Sequence, residues 1–102
     1  MTKVEVTQAH IDLLDSIAVD IDMDQALEVA AIANKVLEDA GVRVDSEDQA
    51  TRDEEAGIIF VKYNVDASFT QASQLFSELI KQLVEKDLEH GPWCPCFCGM
   101  FQ

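Results

Sequence analysis

Three cysteines near the C-terminus are the residues whose type and spacing could do chemistry. Cys94, Cys96 and Cys98 form a C-x-C-x-C run, and His90 lies four residues before its first member. Thiolates and imidazole are ligands of zinc and copper(I). Structural zinc sites usually space their cysteines more widely, and we expect an extended run stiffened by Pro95 to point neighbouring sulfurs apart. A zinc or copper(I) site, chemically modified thiols and small apolar core residues all remain open.

The remainder of the sequence holds no complete catalytic motif. His10 has Asp12 and Asp15 nearby in sequence, and a carboxylate can orient an imidazole for acid–base chemistry. These residues are not accompanied by a nucleophile. We therefore expect a protein that is not an enzyme and that needs no cofactor unless the cysteines bind a metal.

Charge divides the sequence into two parts. Twenty acidic and seven basic residues give a net charge of −13, and all of them lie before residue 91. The last twelve residues hold all three cysteines, both prolines and the one tryptophan. The division predicts an acidic binding or leader-like domain at 1–90 and an uncharged C-terminal tail at 91–102.

The acidic excess also restricts the partners. A strongly negative surface repels nucleic-acid phosphates and anionic lipid headgroups and attracts basic surfaces. We expect no direct binding to nucleic acid or membrane, and a protein partner with a basic surface. Lys3 and Glu5 lie where a signal peptide would be apolar, so the expected compartment is the cytoplasm, where thiols stay reduced.

Capping residues followed by apolar residues at helical spacing predict three helices. Thr7 and Ser68 can cap the first and last helix, and Asp22 or Asp24 the second, which Gly41 ends. The predicted helices span about 7–19, 22–40 and 68–89. The width of their apolar stripes is also compatible with a homodimer.

Strands are predicted where β-branched and aromatic residues cluster. The best strand is 58–65, with shorter ones around Val42 and Val44 and around Val4 and Val6. The acidic stretch between Val44 and Ile58 is either a loop or a short helix capped by Ser46. The predicted class is α+β: a small helix-dominated domain of about three helices and a short two- or three-stranded antiparallel sheet, with an apolar Cys-rich tail.

Two sets of residues are candidates for contact with a partner. The acidic stretch can be a docking surface for a basic protein or a solvated loop. Aromatic residues of the tail could add apolar contacts. The candidate contact residues are Glu47, Asp48, Asp53, Glu54, Glu55, Trp93 and Phe97.

A charged helical part followed by an uncharged segment rich in Cys, Pro and aromatic residues resembles the leader–core layout of ribosomally synthesised, modified peptide precursors. The resemblance implies that a peptide-modifying enzyme binds residues 1–90 and modifies Cys94, Cys96 and Cys98. The segment contains no Ser or Thr, which limits the implied chemistry to thiols.

The sequence thus favours a precursor protein, with two alternatives. The first is a small acidic inhibitor of the immunity, nucleic-acid-mimic or phage counter-defence type, in which negative charge steers the protein to a basic surface. The second is a thiol metal-binding protein.

Overall fold

Each helix begins where the sequence supplies a side chain that accepts a hydrogen bond from the first turn. In the computed structural model, which describes residues 3–102, the helices are α1 (Gln8–Ser16), α2 (Met23–Asp39) and α3 (Phe69–Glu85). Asp22 accepts from the Gln25 amide at 3.1 Å, and Ser68 accepts from the Gln71 amide at 3.1 Å. Both α1 and α3 end earlier than predicted, because Ala18 and Asp87 have positive φ angles of 57° that cannot continue a right-handed helix.

The longest strand organises the sheet. The strands are β1 (Val44–Glu47), β2 (Thr51–Asp53), β3 (Ile58–Ser68) and β4 (Trp93–Phe101). β4 runs parallel to β3 along most of its length, whereas β1 and β2 pair with its two halves in antiparallel orientation. Because α3 carries the chain back along β3, β4 starts at the same end of the molecule as β3.

The predicted α+β class, with three helices and a small sheet, is confirmed. The C-terminal segment nevertheless forms part of the sheet, which has four strands and is mixed. The stretch between Val44 and Ile58 forms β1, β2 and a hairpin turn, so the alternative of a short helix was wrong. The expected strand at Val4 and Val6 does not form, because Val4 hydrogen-bonds through its backbone to the Asn34 side chain of α2 instead.

The core lies on one face of the sheet, beneath the helices. Alternate residues of β3, including Ile59, Val61 and Tyr63, are fully buried there. α2 contributes small residues such as Ala30 and Ala33, which allow close approach of neighbouring elements. The opposite face of β3 carries Phe60, Lys62, Asn64 and Asp66, none of them buried. No helix among residues 3–102 is both long and apolar enough to cross a membrane.

Candidate functional site

β4 divides its side chains between the two faces of the sheet. Trp93, Pro95, Phe97 and Gly99 are buried on the helix-covered face, and Cys94, Cys96 and Cys98 are partly exposed on the open face. The expectation that the run points neighbouring sulfurs apart was wrong. Residues two apart in a strand lie on the same face, so all three thiols form a single row.

The thiol row has polar and aromatic neighbours on β3. Cys94, Cys96 and Cys98 lie beside Phe60, Lys62 and Asn64 respectively. The closeness of the Cys94 and Cys96 thiols lowers the pKa of Cys96 and, together with burial, raises the pKa of Cys94. The Cys94 and Cys98 thiols each donate to the carbonyl oxygen of the following residue, at 3.9 Å to Pro95 and 3.5 Å to Gly99. The three thiols therefore lie in one evenly spaced row along the open face of β4.

The structure does not bring His90 to the cysteines as a joint metal site. The His90 side chain is 84% exposed in the loop before β4, where its Nε2 atom lies 3.2 Å from a Glu89 carboxylate oxygen. Within residues 3–102, no group of three or more His, Cys, Asp or Glu side chains is placed to hold a metal ion. Along a strand, the Cα atoms of Cys94 and Cys98 are about 13 Å apart, so one ion cannot bridge the whole row.

A buried polar cluster fixes the start of β4. The Trp93 indole donates from Nε1 to His10 Nδ1 at 3.1 Å, and the Thr7 amide donates to the same nitrogen at 3.2 Å. His10 Nε2 lies 3.3 Å from a Glu47 carboxylate oxygen. A neutral imidazole with its proton on Nε2 satisfies all three contacts. His10 is only 2% exposed, so this histidine anchors the fold.

The predicted partner contacts fall into separate environments. Trp93 and Phe97 are buried in the core, and this placement corrects the expectation that they contact a partner. Glu47 belongs to the His10 cluster. Asp48 accepts a hydrogen bond from Asn64 at 2.9 Å and pairs with Lys62 at 3.2 Å, and these contacts, in that order, lower the pKa of its carboxyl group.

Asp53 at the end of β2 and Glu54 and Glu55 in the β2–β3 turn are exposed, and the fold brings a second acidic segment to them. The turn packs on the α1–α2 loop: a Cβ atom at Gly57 would lie 3.4 Å from Val19 Cγ2, and Arg52 donates from Nη1 to Ser16 Oγ at 3.2 Å.

We call the resulting surface the acidic end. It is defined by the exposed residues Asp15, Asp20, Asp22, Asp24, Asp53, Glu54 and Glu55. At the other end of α2, Lys3 and Arg43 line a groove with Glu38 and Gly41. The sequence predicted three of these seven residues as partner contacts, Asp53, Glu54 and Glu55. It could not join the two segments, which are about 30 residues apart in the chain.

Comparisons with protein-family models, curated proteins and solved structures give no match for this chain.

Proposed function

We propose that this chain is a non-enzymatic, cytoplasmic binding protein that docks its acidic end onto a basic surface of a partner protein. The observation that carries the proposal is the convergence of two acidic segments, one from the α1–α2 region and one from the β2–β3 turn, on a single end of the fold. An inhibitor of the immunity or nucleic-acid-mimic type would use such a surface.

The electrostatics of this surface suit rapid association. Among its members, Glu54 pairs with Arg52 at 3.4 Å, and one exposed ion pair removes little of the field. Clustered charge of one sign raises the rate of encounter with an oppositely charged surface, by a factor of roughly 10–1,000 at low salt. Nucleic acid would be repelled by the same field.

The peptide-precursor hypothesis remains a prediction. It is not favoured by the position of the C-terminal segment, which forms β4 of the sheet. A modifying enzyme needs access to the chain around each thiol, but Trp93, which precedes the first cysteine, and Phe97, which lies between the last two, are buried. Modification would require β4 to leave the sheet and expose both aromatic side chains to water. An intact mass of the natively expressed protein that shows altered cysteines would revive this alternative.

The docking proposal is tested with two variants of equal net charge. Asp20→Lys/Glu54→Lys/Glu55→Lys changes the acidic end, and Glu38→Lys/Asp39→Lys/Asp66→Lys changes exposed positions at the opposite end. Each set contains one residue in a surface ion pair, Glu54 with Arg52 and Asp39 with Lys35. The sets therefore differ mainly in location.

Wild-type and variant proteins, immobilised at equal density, are exposed to lysate of the native host, and retained proteins are quantified. We expect a basic protein to be retained by wild type and by the opposite-end variant, released by salt, and lost from the acidic-end variant. Equal retention by all three proteins would contradict docking through this surface.

A further inference from the structure

The outward side chains of β4 depart from the pattern of the strand beside it. A strand packed on helices through one face normally carries polar side chains on the other, as β3 does with Lys62, Asn64 and Asp66. The outward row of β4 carries no charge and consists of Cys94, Cys96, Cys98 and Met100. An uncharged row on an open sheet face is typical of a surface that another layer covers.

This row and one neighbour on β3 form a continuous surface. Phe60 lies beside Cys94 and is 38% exposed, and Met100 at the other end of the row is 49% exposed. We call the surface the thiol face and define it as Phe60, Cys94, Cys96, Cys98 and Met100. Within residues 3–102 no helix covers it, because the helices pack on the opposite face of the sheet.

The charge distribution favours a second copy of this chain as the covering layer. With a net charge of −13, two copies repel each other wherever their exposed acidic side chains meet, and the thiol face contributes none. The acidic end adjoins the β2–β3 turn, at the end of the sheet where β4 starts. Two β4 strands that cross in antiparallel orientation therefore hold the two acidic ends about 30 Å apart, the length of β4. Because the Debye length at physiological salt is about 8 Å, repulsion between the acidic ends is then largely screened.

Contact through the face of β4 is favoured over contact through its edge. Pro95 has no amide hydrogen, and because β4 pairs with β3 on both sides of this residue, the missing donor faces the free edge. Proline at such an edge hinders the addition of another strand, whereas packing of side chains needs no backbone donor. We propose that the thiol face is the interface of a homodimer, in which two copies pack their open sheet faces together about a two-fold axis.

The size of the open face sets the strength of this dimer. The open face of three adjacent strands measures roughly 30 Å by 14 Å, or about 400 Å² per chain. A standard interface buries about 800 Å² per partner. We therefore expect an equilibrium between monomer and dimer that shifts with protein concentration.

Sedimentation equilibrium of the reduced chain over a range of concentrations tests the proposal. The average mass should rise from 11.3 kDa toward twice that value. Cys96→Lys should weaken dimerisation by about tenfold or more, because the two added ammonium groups come close together across the axis. Leu27→Lys is the matched control: it adds the same charge at an apolar residue of α2 that is 54% exposed, and it should dimerise like wild type. Both variants should keep the wild-type circular dichroism spectrum, because both positions lie at the surface.

Alkylation of the thiols by iodoacetate gives an independent readout that needs no variant. We expect the alkylation rate of the wild-type chain to fall as protein concentration rises through the range in which the dimer forms. A wild-type chain that stays monomeric up to about 1 mM, an alkylation rate independent of concentration, or equal weakening by Leu27→Lys would each overturn the proposal. So would protection of the thiols by a host protein in place of a second copy. Failure of these tests leaves docking through the acidic end untouched, because the two surfaces share no residue.

Discussion

Replacing Gly99 by alanine should destabilise the fold severely, because β4 is packed against the start of α3 at this position. A Cβ atom on Gly99 would lie 2.5 Å from the carbonyl carbon and oxygen of Ser68 and 2.6 Å from the Phe69 nitrogen. These are backbone atoms at the N-cap of α3, so no side-chain rotation can relieve the contact. Either β4 or the beginning of α3 has to move by about 1 Å to restore ordinary contact distances.

The expected cost follows from the rigidity of that contact. Overpacking a well-packed interior costs about 1–3 kcal/mol, and occasionally more, and a clash with backbone belongs at the upper end. We expect a loss of about 3 kcal/mol, out of the roughly 5–15 kcal/mol typical of a domain. For a domain of this size, such a loss lowers Tm by about 12–24 °C.

Gly91→Ala is the matched control. A Cβ atom there would lie 3.3 Å from the carboxamide of Gln25, the far end of a flexible side chain that can move aside. Its free energy of unfolding in urea should stay within about 0.5 kcal/mol of wild type. If Gly99→Ala were as stable as Gly91→Ala, the C-terminal segment would not be packed against α3, and the leader–core layout with a free tail would gain support.

Three further predictions concern the same core. Removing residues 92–102 should abolish the cooperative unfolding transition in circular dichroism, because β4 supplies the buried Trp93 and Phe97; a truncated chain that still melts cooperatively would show that the segment is dispensable. Trp93→Phe should lower the free energy of unfolding, measured in urea, by about 1 kcal/mol, because the hydrogen bond to His10 is lost while most of the aromatic ring is kept. An unchanged free energy of unfolding would show that the indole does not donate to His10. Burial, and next the charge of Glu47, raise the pKa of Tyr63 in the folded chain. As pH rises, the unfolded chain therefore loses the phenol proton first, near pH 10. The free energy of unfolding should fall as pH rises above that value. Tyr63→Phe should remove this part of the decline in urea titrations between about pH 9 and pH 11, and an unchanged decline would contradict a buried, protonated phenol.

Helix starts and the central strand could be predicted because their signals are local. Asp22 and Ser68 cap helices through contacts within three residues, and the β-rich run from Ile58 onward forms β3. The prediction missed β4 for two reasons. Cysteine counts as apolar, which hid the alternation of Trp93 and Phe97 with the thiols, and Pro95 argues against a central strand. Proline is tolerated here because β4 pairs only with β3 among the described strands and is an edge strand.

The candidate sites depend on contacts that local sequence does not encode. The pattern at Thr7 and His10 predicts a helix cap, but it cannot show that Trp93, 83 residues later, donates to the same histidine. Likewise, Asp22 and Asp24 were interpreted from the sequence as candidate helix caps, and their pattern does not show that the β2–β3 turn packs against Val19. These long-range contacts are set by the tertiary fold, and the local sequence pattern does not specify which segments come into contact.

Docking through the acidic end is tested most directly by association kinetics with the partner retained by the wild-type protein. The association rate constant is measured for wild type and for the two charge-reversed triple variants, over a salt series in which the Debye length falls from about 10 Å at 0.1 M to about 3 Å at 1 M. Three replacements of an acid by lysine add six charges, so both variants have a formal net charge of −7 in place of −13.

We predict that Asp20→Lys/Glu54→Lys/Glu55→Lys slows association at low salt by about tenfold or more. The opposite-end variant should stay near the wild-type rate constant, and the three proteins should converge at high salt. Equal slowing of both variants would show that net charge, and not this surface, governs the encounter, and would contradict the proposed docking site.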